Sequence, residues 1–156
     1  MTKATLIVGC APCVWEDVAL LTQRCRKVVL NRMIVDFPGK AEFGVTAHPD
    51  FAKHYATGRF PIWSWREEPG VDHIYWRQLL CGSSSLYAVE VVDHVFGPGP
   101  IILAGCPMDD SGHYYDREKM GEYLPVYRHA WENAAPLLAG RVRSLSGWTK
   151  QLLGAP

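Results

Sequence analysis

"TLIVGCAPCVWEDV", residues 5–18, sets an unbroken apolar run, a glycine and the start of an amphipathic segment side by side. The apolar run from Ala4 to Val8 is short and β-branched, which suits a strand covered on both faces. Gly9 stops it. Val14, Val18 and Leu21 then recur at helical spacing, which predicts a helix over Val14–Cys25. A doubly buried strand that feeds a helix is the opening unit of a parallel sheet, because parallel neighbours need a crossover. A related unit closes the chain's second half. Ser84–Phe96 carries Leu86, Val89, Val92 and Phe96 on one helical side, and the turn Gly97-Pro98-Gly99-Pro100 leads to a buried strand, Ile101–Ala104, stopped by Gly105.

Between these units the pattern predicts strands at Val28–Leu30, at Glu42–Thr46 after the turn Phe37-Pro38-Gly39-Lys40, and at Pro61–Trp65. A helix over Lys119–Ala139 and a strand near Val142 follow, and residues 146–156 read as a tail packed over the surface. Short buried strands alternating with helices give an α/β fold with a mainly parallel sheet flanked by helices. No linker or repeat divides residues 1–156, so a single domain is expected, with its core at about 4–145. In such sheets ligands bind beyond the carboxyl ends of the strands, near the reversal of strand order. The informative loops are therefore those at Gly9–Trp15, Asn31, Ala47–Asp50 and Gly105–His113, together with the helix start at Gly82–Ser85.

Composition narrows the classes of function. Sixteen basic and sixteen acidic side chains cancel without a basic run, which disfavours duplex nucleic acid as a partner. No apolar run reaches the ~18 residues of a membrane span, and the N-terminal apolar core is too short for a signal peptide. Five cysteines in 156 residues do not form a disulfide framework and fit a reducing, cytoplasmic setting. Self-association is compatible with everything above.

Gly82-Ser83-Ser84-Ser85 opens a helix. Backbone N–H groups at a helix start carry partial positive charge, and serine hydroxyls add donors, so a phosphate or carboxylate is a reasonable ligand. The plainer alternative is one N-capping serine with two solvated ones. Gly9-Cys10-Ala11-Pro12-Cys13 lacks the dinucleotide and P-loop fingerprints, yet such a loop can present N–H groups to a ligand. Its Cys-x-x-Cys spacing also admits a dithiol oxidoreductase, with Pro61 offering a cis-proline, although the pair lies early for that fold. Cys25, Cys81 and Cys106 read as small buried hydrophobes.

Thr46 and His48 follow a strand, where His48 could contact a phosphate or act as acid or base. Asp50 and His54 lie close by but make no recognised metal motif. Asp109 follows the buried strand Ile101–Ala104, the place for a carboxylate that contacts a ribose hydroxyl or a divalent ion. His113, Tyr114 and Tyr115 could close over a flat ring. Trp63 and Trp65 are potential stacking platforms.

Taken together, "VGCAPCVWEDV", "VVLNR", "VTAHPD", "CGSSSLYAVEVV" and "IILAGCPMD" resemble a group of short phage and prophage proteins of Rossmann-like fold. That group is distantly related to the archaeal hydroxymethylpterin pyrophosphokinase-like domain and, more loosely, to sialyltransferase-like folds. The resemblance implies a nucleotide or diphosphate pocket at Gly9, Asn31, Gly82–Ser85 and Asp109. By analogy it also suggests sequestration of a phage-defence signalling nucleotide. His48-Pro49-Asp50 stands where the pyrophosphokinase-like relatives tend to have an acidic residue, so no metal is required, though a divalent ion could be accommodated. The expectation is a protein that binds a nucleotide-derived, phosphate-bearing molecule. Transfer or hydrolysis of a nucleotide-linked group, with His48 or Asp109 as acid/base, is the alternative. It is weighed down by the little room a chain of this length leaves for two substrates.

Overall fold

The protein is described by a computed structural model covering residues 3–76 and 82–156; Cys81 lies outside them. Among the described residues seven strands form one all-parallel sheet in the order β5-β4-β3-β2-β1-β6-β7. They are β1 (Thr5–Val8), β2 (Arg26–Leu30), β3 (Phe43–Val45), β4 (Ile62–Ser64), β5 (His73–Ile74), β6 (Ile101–Ala104) and β7 (Val142–Ser144). Six helices of the described residues join and cover them: α1 (Val14–Ala19), α2 (Met33–Asp36), α3 (Ala52–Tyr55), α4 (Ser84–Phe96), α5 (Tyr123–Leu138) and α6 (Gly147–Leu153). A 3-10 turn, Pro49–Phe51, precedes α3. The fold is Rossmann-like.

β1 lies between β2 and β6, pairing Thr5 with both Arg26 and Ile101. All four of its residues are buried, and so are those of β6, as unbroken apolar runs require in a sheet covered on both faces. On one face Ile7, Val28, Val45 and Leu103 meet the buried side of α4 and Trp131 of α5. On the other, Leu6, Val8, Val29 and Ala104 meet Val14, Met33 and Ile34. The strand order reverses between β1 and β6, so the loops after these two strands flank the point where such sheets bind ligands.

Several elements depart from the sequence reading. The first helix ends at Ala19, not Cys25: its last turn tightens, with the Leu21 N–H donating to Val18 O at 3.2 Å, and six residues then return the chain to β2. The third strand is limited to Phe43–Val45, and the long helix begins at Tyr123, four residues after Lys119. Residues 146–156 are not a tail laid over the surface. Gly147–Leu153 within them form α6, which buries Thr149 and Leu153 and donates Thr149 Oγ1 to Cys106 O at 2.7 Å. Trp63 and Trp65 are not free platforms: Trp63 packs between Phe43 and His73, and Trp65 Nε1 donates to Ala47 O at 2.9 Å. Cys25 and Cys106 are buried. No helix of the described residues is long and apolar enough to cross a membrane.

Candidate functional site

The carboxyl ends of β1, β2, β3 and β6 and the start of α4 converge on a cleft of about 940 Å³. At its floor the β1 and β6 loops touch. The Gly9 N–H donates to Ala104 O at 2.8 Å and the Ala11 N–H to Gly105 O at 3.1 Å. A Cβ at Gly9 would run into the Gly105 carbonyl and come 2.5 Å from Cys106 Sγ. The approach exists because residue 9 has no side chain.

Asn31 ends β2 in the left-handed region, φ 48°, a conformation asparagine tolerates. Its Oδ1 accepts from Thr46 Oγ1 at 2.8 Å and from Ser84 Oγ at 3.3 Å, which ties β2, β3 and α4 together. Ser83 is the N-cap of α4, its Oγ accepting from the Leu86 N–H at 3.3 Å and from Trp131 Nε1 at 3.3 Å. Ser85 is buried against the Ser83 hydroxyl at 2.9 Å, and Ser84 Oγ accepts from the Ala47 N–H at 3.3 Å. The three hydroxyls are thus engaged within the protein. What this helix start offers a ligand is backbone N–H groups and the dipole of a 13-residue helix.

The opposite wall comes from the segment between β6 and α5. His113 stacks on Tyr115, centroids 4.9 Å apart and planes within 3°, and its Nδ1 lies 3.0 Å from Asp116 Oδ1. The Glu118 N–H holds that carboxylate oxygen at 2.9 Å. With Nδ1 bonded to the carboxylate, Nε2 is the nitrogen left to exchange protons. His113, Asp116 and Glu118 also place three donor atoms within 4.8 Å of one another. That set would suit a divalent cation, at the cost of the His113–Asp116 bond. His48, Asp50 and His54 form no such group among the described residues.

Of the residues singled out from sequence, Gly9, Cys10, Ala11, Asn31, His48, Ser83, Ser84, Ser85 and His113 line the cleft. Pro12, Thr46, Gly82, Asp109 and Tyr114 do not line it. Thr46 is buried beneath, supporting Asn31. Gly82 sits where a Cβ would press on Ala130 of α5. Asp109 turns back to cap its own loop, accepting from the Ser111 N–H at 3.0 Å and from the Ser111 hydroxyl. Tyr114 faces away and donates to Asp36 Oδ2 at 2.5 Å, with its ring edge-on to Trp15. Tyr115, expected with His113 to close over a flat ring, does line the cleft, whereas Asp116, Glu118 and Tyr123 are wall residues that sequence reasoning passed over. A long irregular stretch carrying His113 and Asp116 was the available signal.

The thiols oppose the oxidoreductase reading. Burial pushes Cys10 up to about 12, its Sγ donating to Leu30 O at 3.2 Å. Burial, followed by the Asp17 carboxylate acting against the helping Ser146 hydroxyl, pushes Cys13 up to about 11. A reactive pair needs a depressed pKa. Both cysteines are free thiols, and the peptide before Pro61 is trans.

No protein-family model matches the sequence, and no curated protein does. Among solved structures the chain is similar to the sialyltransferase CST-II in complex with a trisaccharide acceptor and CMP. The two are 13% identical with a TM-score of 0.64, over 98% of this chain and 86% of that one. It is also similar to sialyltransferase CstII from Campylobacter jejuni in complex with a substrate analogue, cytidine-5'-monophosphate. There the identity is 13% and the TM-score 0.60, over 99% of this chain and 85% of that one. The likeness is one of fold. It supports the sialyltransferase-like fold named in the resemblance seen in the sequence and bears on no other part of it.

Proposed function

We propose that the protein binds a nucleotide-linked donor across the β1–β6 junction and transfers the linked group to an acceptor hydroxyl. The observation that carries this reading is that one cleft of about 940 Å³ joins the α4 helix start to the His113–Asp116 pair. Ligand pockets run from about 300 to 1,000 Å³, so this volume has room for a nucleotide and a second group. It weighs against the objection that a chain of this length leaves little room for two substrates. The N–H groups at Ser84 and Ser85 hold the phosphate, and Asn31 contacts the nucleoside side of the donor. His48 follows Ala47, whose N–H donates to Ser84 Oγ at 3.3 Å, so it stands on the α4 side of the cleft and would face the ligand's charged part. Half-exposed Phe51, Tyr115 and Tyr123 on the rim offer ring faces suited to a base or a sugar.

The chemistry follows from these positions. The acceptor oxygen gives its proton to Nε2 of His113 while it bonds to the transferred carbon. The bond from that carbon to the phosphate oxygen breaks, and the nucleoside phosphate leaves with the electron pair. Asp116 steadies the imidazolium, and the α4 dipole stabilises the leaving phosphate. The CMP and trisaccharide acceptor held by the solved neighbours support the reading.

The test is incubation with nucleotide sugars and saccharide acceptors, followed by mass spectrometry. Transfer is expected, and His113→Ala should lower it by about 10²–10⁴-fold. Recovery of every donor intact despite tight binding would replace transfer by sequestration of a nucleotide. Full activity in His113→Ala would remove the base from its role.

A further inference from the structure

The Gly105–Met108 turn follows β6 at the strand reversal, and its carbonyl groups are all hydrogen-bonded within the protein. Gly105 O accepts from the Ala11 N–H at 3.1 Å. Cys106 O accepts from Thr149 Oγ1 at 2.7 Å, and Pro107 O from the Thr149 N–H at 3.2 Å. Met108 O accepts from Arg128 Nε at 2.9 Å. The Gly105 N–H is taken too, donating at 2.8 Å to Oδ2 of Asp17, a carboxylate 3% exposed that also accepts from Ser146 Oγ at 2.6 Å.

The N–H groups of Cys106 and Met108 are left over. Both residues are buried and line the cleft, and among the described residues neither N–H has a hydrogen-bond partner. Pro107 between them has no N–H to compete. Buried backbone donors without partners are rare, and Gly105 and Met108 both hold positive φ, 64° and 50°. Turns of this kind can gather neighbouring N–H groups into one anion-binding concavity, and because Pro107 has no N–H the donors left to this one are those of Cys106 and Met108. A non-glycine residue at positive φ persists where its surroundings over-determine it, and here Arg128 and α6 do so. Gly147, at φ 64°, has no side chain because a Cβ would strike Pro107.

We propose that the Gly105–Met108 turn is an oxyanion cradle, with the Cys106 and Met108 N–H groups as donors and Asp17, Thr149 and Arg128 as the positioning residues that keep it open. The inference rests on the nucleotide-donor reading and adds to it. The ligand carries a second oxyanion, phosphoryl or carboxylate, besides the phosphate at α4.

The experiment is a ¹⁵N–¹H titration of the full chain with inorganic pyrophosphate, acetate, a nucleoside monophosphate and a nucleoside diphosphate. The Cys106 and Met108 amide signals should move downfield together on saturation. A response to pyrophosphate and diphosphate alone marks a phosphoryl ligand, and one to acetate a carboxylate. Thr149→Val removes the hydroxyl that holds Cys106 O and should weaken that response about tenfold. Signals at Cys106 and Met108 that stay put in the wild type while Ser84 and Ser85 move overturn the cradle and leave the nucleotide reading standing. Movement at Cys106 and Met108 with pyrophosphate, but no binding of any nucleotide, does the reverse.

Discussion

Gly9→Ala is the most direct probe of how the β1 and β6 loops meet. A Cβ there would overlap the Gly105 carbonyl and lie 2.5 Å from Cys106 Sγ, with the Gly105 carbonyl carbon at 3.0 Å. Ordinary contacts need about an ångström more, and the obstruction is backbone rather than the end of a flexible side chain. Overpacking of this kind costs about 1–3 kcal/mol, offset by about 0.4–1 kcal/mol for the stiffer unfolded chain. A net loss of about 1–2 kcal/mol in a domain of this size lowers Tm by about 3–6 °C. The larger effect is on the site, since Gly105 must shift and carry the Cys106–Met108 turn with it. Calorimetry should show nucleotide affinity falling more than tenfold while far-UV circular dichroism is unchanged. Gly58→Ala is the control. Gly58 has positive φ, 75°, and open space around a Cβ, so it should cost about 1 kcal/mol through the backbone alone and leave affinity untouched. Equal affinities in Gly9→Ala and wild type would refute the claim that this contact shapes the cleft.

Two further outcomes are expected. Burial raises the folded-state pKa of Cys10 and Cys13 from 9.0 to about 12 and about 11. At pH 8 their thiolate populations, and so their alkylation rates, should fall about 10³-fold and 10²-fold below those in urea. Because the folded values are raised, the neutral thiols contribute stability that is full below pH 9 and lost as pH climbs towards 11–12. Native labelling as fast as unfolded labelling would contradict this. Trp131, fully buried with Nε1 donating to the Ser83 N-cap, should on substitution by alanine cost about 3–5 kcal/mol, or roughly 9–15 °C in Tm. A loss under 3 °C in a thermal scan would mean that α5 does not anchor the start of α4.

What the sequence made legible follows from how locally each feature is encoded. β1 and β6 are β-branched runs stopped by Gly9 and Gly105, and α4 has a capping serine followed by apolar residues at helical spacing. Each carries its own boundaries. β5 is two exposed residues, His73 and Ile74, defined only by pairing with Trp63 and Ser64, which no local pattern announces. Helix α6 is seven residues with no capping bond from Ser146. It is held by Thr149 reaching the β6 loop, a partner more than forty positions away. The site divides in the same way. Gly9, Asn31 and the serine run sit at strand or helix ends whose direction the fold sets. Asp109 and Tyr114 sit in an irregular segment, where no period says which neighbour faces the cleft, and there His113, Tyr115 and Asp116 line it while Asp109 and Tyr114 do not.

The position of β1 between β2 and β6 also has a kinetic meaning. Thr5 pairs with Arg26 through a short crossover but with Ile101 across most of the chain. The second closure costs more loop entropy and forms more slowly. Until it forms, "TLIV" presents one unpaired parallel edge with apolar side chains on both faces, an aggregation-prone state. The cleft lies over this same junction, so no partly folded form that lacks β6 possesses it. A ligand therefore cannot rescue the chain early in folding. It acts only on the finished molecule, by slowing its unfolding.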